Sequence, residues 1–335
     1  MNVENAEKLP PVPGVFQSLR LGFDVVSSHV WLIFLPIALD VFLWLGPRLS
    51  AGQVYSSLLA NMLAVFKDRP LPEAETKALS DFVEAVNHIN WFSWLRTLPI
   101  GISSLDSFIL PENLTVQTPL GTQTVIQLGS ILSLLGWTCL IILAGWLGGS
   151  LYFRLVSITT LGREETSISM GRAIVQTVLL SMVLNIGFFI VFLPVSMIVG
   201  AAGLFSPVLS TALMLVLALF SYWLIVPLFF TPHGIFASRQ NAFHSIYSSL
   251  RVSRFTFPTS ALFVLTVFVV ASGLNFLWRV PPSNTWMKLV GIFGHAFIST
   301  MLLSASFAYY RNINAWLQVV LEQIQQKQNM PTQQA

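Results

Sequence analysis

Three polar side chains stand inside otherwise apolar stretches of the 335-residue sequence: Asp40, Asn275 and His295. Asp40 is the only acid within a predicted membrane span, where a carboxylate costs roughly 2.5–3.5 kcal/mol on insertion scales. It therefore has to face protein or be protonated. All three residues fall at similar depth in the outer half of their spans, so we predict that they converge on one polar cluster, with His295 as the partner of Asp40.

Such a cluster has two possible uses. Polar contacts between membrane helices contribute about 0.6–2 kcal/mol and fix the packing, which is the simpler explanation. The alternative is a proton relay or a substrate site. Asn185, near the middle of another apolar run, predicts a helix-to-helix hydrogen bond. Gly145 and Gly149 form a small-xxx-small face, which predicts close helix packing within the chain or between chains.

No residue pattern in the sequence indicates catalysis. A glycine-rich phosphate loop, His-Glu-x-x-His and Gly-x-Ser-x-Gly are all absent. Cys139 is the single cysteine, and the five histidines are dispersed. We therefore expect no catalytic site, no metal site and no cofactor, and we predict that the chain is not an enzyme.

The composition indicates a membrane protein. Hydrophobic residues make up 54% of the chain and charged residues only 9%, against roughly 25% charged residues in soluble domains. These values exclude a soluble globular enzyme, a disordered protein and a disulfide-stapled secreted domain. Although the net charge is +3, the basic residues stand at the ends of apolar runs, which is typical of membrane proteins, so no nucleic-acid partner is expected.

Runs long enough to cross a bilayer, at roughly 20 apolar residues each, predict six helical spans. The predicted spans are 29–46, 127–150, 174–199, 207–231, 259–279 and 289–310. The fold class is therefore an all-α, six-span transmembrane helical bundle with interfacial amphipathic helices and one outward-facing, partly helical insert. The predicted organisation is a cytoplasmic and interfacial segment 1–28, the first span 29–46, the insert 47–126, a five-helix region 127–310 and a cytoplasmic tail 311–335.

The distribution of Lys and Arg predicts the orientation. Basic residues concentrate in the connections that are inside if the N-terminus is cytoplasmic, whereas the two short outside loops hold none and two. Both termini are thus expected in the cytoplasm of a bacterium, with the chain in its plasma (inner) membrane. The outward insert carries seven of the fourteen acids. Helices are predicted over 54–66 and 74–86, with Trp91 and Trp94 as anchors on the outer membrane face; a cap over the bundle or a docking surface is the alternative.

Two segments of the sequence look alike. Phe16-Gln17-Ser18-Leu19-Arg20 precedes Phe42-Leu43-Trp44, and Tyr247-Ser248-Ser249-Leu250-Arg251 precedes Phe276-Leu277-Trp278 at nearly the same spacing. This pattern predicts a duplicated unit, an interfacial helix followed by a span. We expect Arg20, Arg251 and Arg172, which stands before the third span, to contact lipid headgroups.

The stretch from Asn241-Ala242-Phe243-His244-Ser245 to Phe255, together with the entry to the third span at Arg172, resembles a loose group of bacterial multi-pass proteins. The group includes the membrane domain attached to some glycerophosphodiester phosphodiesterases. Catalysis in those enzymes resides in a separate soluble barrel, for which this chain has no room. The resemblance therefore implies a fold and a membrane location, and no activity.

Two classes of function follow. The first is a non-catalytic integral membrane protein acting as a scaffold, an assembly factor or an accessory subunit of a membrane complex. The alternative is a small transporter or permease subunit that uses the polar cluster around Asp40. Few intramembrane charges and no clearly interrupted helix pair weigh against transport. The expected partners are membrane lipids and either a partner membrane protein or a second copy of the chain.

Overall fold

A computed structural model of the chain describes residues 12–65, 72–107, 116–163 and 168–329. Residues 1–11 of the predicted N-terminal segment and 330–335 of the predicted tail lie outside these ranges. Helices dominate the described residues, with only two very small sheets among them, so the predicted all-α class is confirmed.

The first half of the chain alternates short helices with short strands. The helices here are α1 (Val15–Ser28), α2 (Phe34–Leu45), α3 (Gly52–Val65) and α4 (Glu73–Asn87), with 3₁₀ turns at Val30–Ile33 and Trp91–Leu95. The strands are β1 (Arg48–Ser50), β2 (Gln117–Thr118), β3 (Gly121–Thr122) and β4 (Val125–Gln127). β1 pairs in parallel with β4, and β2 pairs antiparallel with β3.

The second half is almost entirely helical. Its helices are α5 (Ile131–Leu161), α6 (Met170–Phe205), α7 (Pro207–Phe229), α8 (Thr231–Ser238), α9 (Ala242–Trp278) and α10 (Lys288–Asn329). The tight turn between α6 and α7 follows from Ser206 and Pro207. The Ser206 hydroxyl accepts a hydrogen bond from the backbone N–H of Leu209, and proline is well suited to the first helical position because its missing N–H needs no partner there.

Five helical segments are long and apolar enough to cross a membrane. They are Ile131–Leu161, Met170–Phe205, Pro207–Ser238, Ala242–Trp278 and Lys288–Gln325. A sixth exists only if Val15–Ser28 and Val30–Leu45, a pair bent by 96° at a break, count together as one span. The chain is therefore an integral membrane protein with five or six spans.

The predicted first span, 29–46, differs most from expectation. The structure divides it into a 3₁₀ turn and the 12-residue α2. Twelve helical residues extend about 18 Å, which is short of a hydrocarbon core about 30 Å thick. At the other end of the chain, the predicted sixth span and the predicted cytoplasmic tail form one continuous 42-residue helix, α10, as far as the structure describes them.

The described residues form two compact units. The first unit contains residues 12–29, 154–270 and 301–329, and the second contains residues 30–153 and 271–300, each without the residues that the structure does not describe. The first unit is built around stacked aromatic rings: Phe263 lies 4.2 Å from Tyr309 between ring centroids, and Phe230 lies 5.8 Å from Tyr309. These rings and their aliphatic neighbours are almost completely buried.

The second unit packs the insert against α5. Leu49 of β1, Val54 of α3 and Ile141 of α5 share one buried cluster with Leu128. α3 and α4 occupy the predicted helical stretches of the insert, which confirms that part of the fold. Glu73 and Glu75 lie in the first turn of α4, where negative charge is favourable for the helix dipole.

The two copies of the sequence repeat bury the same positions. Ser18 and its counterpart Ser249 are fully buried, whereas Arg20 and its counterpart Arg251 are exposed. The aromatic rings that open each motif, Phe16 and Tyr247, are also exposed. Such a split between small buried residues and exposed aromatic residues is what an amphipathic helix at a membrane interface requires; the duplication itself stays a prediction.

Candidate functional site

A non-helical segment, residues 96–107, lies within the second unit with five of its residues buried; we call it the buried loop. Ile100 and Leu105 have no exposed surface, and Ser104 and Ser107 are almost fully buried. Buried irregular backbone is costly unless its N–H and C=O groups find partners. The residues that supply those partners define the candidate site.

Asp40 on α2 provides acceptors for three consecutive residues of the buried loop. Its Oδ1 accepts hydrogen bonds from the Ser104 hydroxyl at 2.5 Å, from the Leu105 N–H at 2.9 Å and from the Asp106 N–H at 3.2 Å. Its Oδ2 accepts from the Leu105 N–H at 3.0 Å. Asp40 has no exposed surface. We call this arrangement, Asp40 with residues 104–106, the Asp40 latch.

The geometry of the latch explains why a carboxylate stands at position 40. Successive N–H groups of a turn form a concave site for negative charge. Hydrogen bonds from neutral donors to an ionised acceptor are stronger than those between neutral groups. An acid on an apolar helix is thereby held in protein rather than in lipid, as the sequence predicted.

His295 on α10 contacts the same loop at Ser103, one residue before the part that Asp40 binds. Its Nδ1 lies 2.8 Å from Asn275 Oδ1, and its Nε2 lies 3.1 Å from the Ser103 hydroxyl. Since the amide oxygen only accepts, Nδ1 carries the proton and donates, and Nε2 of a neutral ring then accepts from Ser103. Asn275 on α9 therefore orients the ring toward the loop.

The structure thus connects the three predicted residues through the buried loop. Asn275 and His295 are bonded directly, while Asp40 binds the residues that follow Ser103. The direct pairing of Asp40 with His295 that the sequence suggested is not seen: within the described ranges, the two side chains share no hydrogen bond. Serine hydroxyls and backbone N–H groups of the loop take the place of that pair.

Three cations surround the latch. The Lys288 ammonium forms an ion pair with Asp106 at 2.7 Å, and both side chains are largely buried. Arg279 donates to the Leu105 carbonyl at 3.2 Å, and Arg96 donates to the Ser104 carbonyl at 3.4 Å. Burial lowers the pKa of Arg96 from its ordinary value, while the negative charge of Asp40 raises it and the positive charge of Arg279 lowers it.

The glycine face of α5 accommodates the backbone of this insert segment. A Cβ on Gly145 would lie 2.5 Å from the Leu95 carbonyl oxygen, and a Cβ on Gly149 would lie 2.7 Å from the Gly101 Cα. Real Cβ atoms do not approach other atoms so closely, so glycine is required at both positions. The sequence predicted a second helix against this face; the structure places Leu95, the last residue of a 3₁₀ turn, and the loop residues 97–101 there.

Aromatic residues fasten the rest of the insert within the second unit. Trp91, one of the predicted membrane anchors, donates from its indole N–H to the Thr138 hydroxyl on α5 at 2.7 Å. Trp94 lies beside it, with the ring centroids 6.3 Å apart. The aromatic stretch therefore packs partly on protein.

The remaining predicted residues belong to the first unit and contribute nothing to this site. Asn185 donates to the Ser181 carbonyl one turn earlier on its own helix. Arg20 is strongly exposed, at 4.0 Å from Asp24. Arg172 is exposed and donates to the Arg239 carbonyl at 3.1 Å, and Arg251 is exposed as well. The exposure of the three arginines is compatible with contact to lipid headgroups, which stays a prediction.

The first unit contains a one-residue break within the membrane segment Pro207–Ser238. The helix breaks at Phe230, between α7 and α8, because Pro232 has no N–H to offer the Leu228 carbonyl. The Thr231 hydroxyl donates to that carbonyl instead, at 2.7 Å. The next helix, α9, has a non-helical residue at Thr256, two positions before Pro258.

Serines of α9 satisfy further carbonyls at the break. The Ser249 hydroxyl donates to the Pro227 carbonyl, and the Ser245 hydroxyl donates to the Thr231 carbonyl. Both serines are fully buried. The buried face of α9 near its start is therefore polar because its hydroxyls donate to carbonyls on both sides of the break.

In the part of the chain that the structure describes, no group of three or more His, Cys, Asp or Glu side chains could hold a metal ion. No family model, curated protein or solved structure matches the chain.

The buried loop is the main feature that the sequence analysis missed. Residues 96–107 have no helical or strand periodicity, so the sequence predicted them only as part of the outward insert. Two signals were present: an acid in an apolar helix, which needs donors, and a glycine face on α5, which needs a close neighbour. Each was recognised, but neither identifies its partner by sequence.

Proposed function

We propose that this integral membrane protein is a non-catalytic scaffold, assembly factor or accessory subunit. In this role it presents its insert, including the acidic helix α4, to a partner in or at the membrane. The observation that carries the proposal is the Asp40 latch. Among the described residues, the donors that contact Asp40 belong to the buried loop, so the carboxylate holds this part of the insert in place.

The arrangement of charge supports an orientation for this role. The described side chains of the first unit include eight arginines and two acids, and seven of the arginines are exposed. Those of the second unit include five basic residues and six acids. With the positive-inside bias, we infer a bacterial inner-membrane protein with both termini in the cytoplasm and the insert outside. Reporter fusions at the two ends should both report the cytoplasm.

The experiment that tests the scaffold proposal is isolation of the tagged chain from native membranes, followed by reconstitution. We expect a membrane protein that co-purifies at a fixed ratio and forms the same complex when both purified proteins are mixed. Asp40→Ala should reduce complex formation, since the insert is no longer held. Asp24→Ala, at an exposed acid of the first unit, is the matched control and should form the complex normally.

Two results would contradict the proposal. One is a chain that purifies alone from native membranes and binds no partner on reconstitution. The other is an Asp40→Ala variant that forms the complex as well as the unmodified chain does, which would show that the latch has no part in presenting the insert.

A transporter or permease subunit is the second candidate, and the interrupted helices favour it. Breaks in neighbouring helices expose backbone groups that bind substrates and ions in transporters. Here the break at Phe230 faces Ser245 and Ser249 of α9, which has its own break at Thr256. Solute flux into proteoliposomes that Ser249→Ala abolishes, while the variant keeps its fold, would favour this candidate over the scaffold.

A further inference from the structure

The cations around the latch outnumber the acids. Arg96, Arg279 and Lys288 accompany two carboxylates, Asp40 and Asp106, in the described part of the second unit. Lys288 is paired with Asp106, and Asp40 is enclosed by the loop. Arg96 and Arg279 lie beside this pair and donate to backbone carbonyls of the buried loop. The two guanidinium groups are close enough for the charge of Arg279 to lower the pKa of Arg96.

Arg279 is the accessible member of the cluster. It follows directly after Trp278, the last residue of α9, and is exposed. Within the described residues its guanidinium makes one hydrogen bond, to the Leu105 carbonyl. A guanidinium has five N–H donors in a planar fork that matches the oxygens of phosphate, so most of its donor capacity remains for a ligand.

Apolar side chains flank this arginine on both sides in the sequence. Phe276 is 80% exposed and Val280 is 72% exposed, and Leu277 is exposed as well. At the end of a membrane helix, such side chains contact the acyl chains of lipids. A phosphate-binding group and an acyl-binding surface thus lie within four residues of each other.

We propose that Arg279, supported by Arg96, binds the phosphate of an anionic glycerophospholipid whose acyl chains lie along Phe276, Leu277 and Val280. A phospholipid fits both the guanidinium and the apolar side chains, because its phosphate binds the first and its acyl chains contact the second. Free phosphate has no acyl chains to contact the apolar residues. The site goes beyond the scaffold role and does not depend on it.

Lipid titration monitored by native mass spectrometry tests the proposal. The full chain is delipidated in detergent and titrated with phosphatidylglycerol. Arg279→Gln should raise the dissociation constant of the tightest lipid about fivefold, the change expected for one cation near a lipid surface. Arg279→Lys should retain most of the affinity because it keeps the charge. Lys77→Gln removes an exposed cation on α4, away from the cluster, and should change nothing.

Two outcomes would overturn the proposal. If Arg279→Gln binds phosphatidylglycerol as the unmodified chain does, Arg279 serves only the carbonyl groups at the end of α9 and in the loop. If millimolar inorganic phosphate displaces the lipid, the site recognises an anion without the acyl chains. Because Arg279 also donates to the Leu105 carbonyl, the melting temperature of each variant is measured beside its lipid binding, and Arg279→Gln counts as a test of binding only where the fold is retained. This readout needs no partner protein, so it is independent of the scaffold test.

Discussion

Both units contain backbone groups that lack helical partners in an apolar environment. In one unit a side chain accepts hydrogen bonds from them, and in the other unit side chains donate to them. In the second unit a non-helical loop has backbone N–H groups without helical partners, and the Asp40 carboxylate accepts from them. In the first unit a broken helix leaves carbonyl groups before the break without helical partners, and the hydroxyls of Thr231 and Ser249 donate to the Leu228 and Pro227 carbonyls. Backbone away from water requires such partners in both situations.

The comparison shows that the missing backbone group determines the side chain that replaces it. Proline removes a donor and leaves an acceptor, which a small hydroxyl satisfies without introducing charge. A turn with consecutive free N–H groups requires an acceptor with several lone pairs, which a carboxylate provides. The charged solution is stronger but has to be enclosed, so Asp40 is completely buried.

The largest effect is expected at Asp40. Asp40→Ala leaves the Ser104 hydroxyl and two buried N–H groups without an acceptor, so we expect it to lower the free energy of unfolding in detergent by about 3 kcal/mol. Asp24→Ala, which removes a largely exposed acid of the first unit, should change the same quantity by less than about 0.5 kcal/mol. If the two substitutions change the free energy of unfolding equally, Asp40 stabilises the chain no more than an exposed acid does, which contradicts the role of the latch.

The glycine face should respond next. Gly149→Ala places a methyl group 2.7 Å from the Gly101 Cα, and we expect it to lower the melting temperature through a cost of about 1–3 kcal/mol. A Cβ on Gly136, which lies on the same helix, would have nothing within 4 Å, so Gly136→Ala should leave the stability unchanged or raise it by up to about 1 kcal/mol. A tolerated Gly149→Ala would show that the loop does not lie against α5.

A smaller effect is expected in the first unit. Ser249→Ala removes the donor to the Pro227 carbonyl, which should cost about 1 kcal/mol of unfolding free energy. Ser221→Ala removes an exposed hydroxyl that bonds only the Ala218 carbonyl of its own helix, and its unfolding curve should overlay that of the unmodified chain. If Ser249→Ala lowers the free energy of unfolding as much as Asp40→Ala does, the carboxylate stabilises the chain no more than a hydroxyl does, which contradicts the comparison.

The smallest effect concerns Asn275. A double-mutant cycle that combines Asn275→Ala with His295→Ala should give a coupling energy of about 0.6 kcal/mol, typical of hydrogen bonds between membrane helices. Thermal unfolding of the four proteins measures it. A coupling near zero would mean that Asn275 does not orient the His295 ring.

Apolar run length predicted most of the fold, because the bilayer imposes it directly. The long helices from Ile131 onward fall where the sequence placed them. The predicted span 29–46, which contains Pro36, forms a 3₁₀ turn and a short helix and counts as a span only together with Val15–Ser28. The break at Phe230 lies one residue before the predicted end of the span 207–231.

The candidate site could be predicted only in part. The need to enclose Asp40 follows from its charge, and the burial of Asp40 agrees with it. The identity of its partners does not follow, because any backbone N–H can serve and backbone groups have no sequence signature. Gly145 and Gly149 similarly predict a close neighbour, but their spacing does not indicate that this neighbour is a loop.

The accessibility of the buried loop tests the central claim, that Asp40 fastens the insert among the membrane helices. In a Cys139→Ser background, Ser107→Cys introduces a thiol at a position that is 1% exposed. A membrane-impermeant maleimide should label it slowly when Asp40 is present and at least about tenfold faster after Asp40→Ala, which corresponds to about 1.4 kcal/mol of lost protection. Equal labelling rates with and without the Asp40 carboxylate would contradict the account.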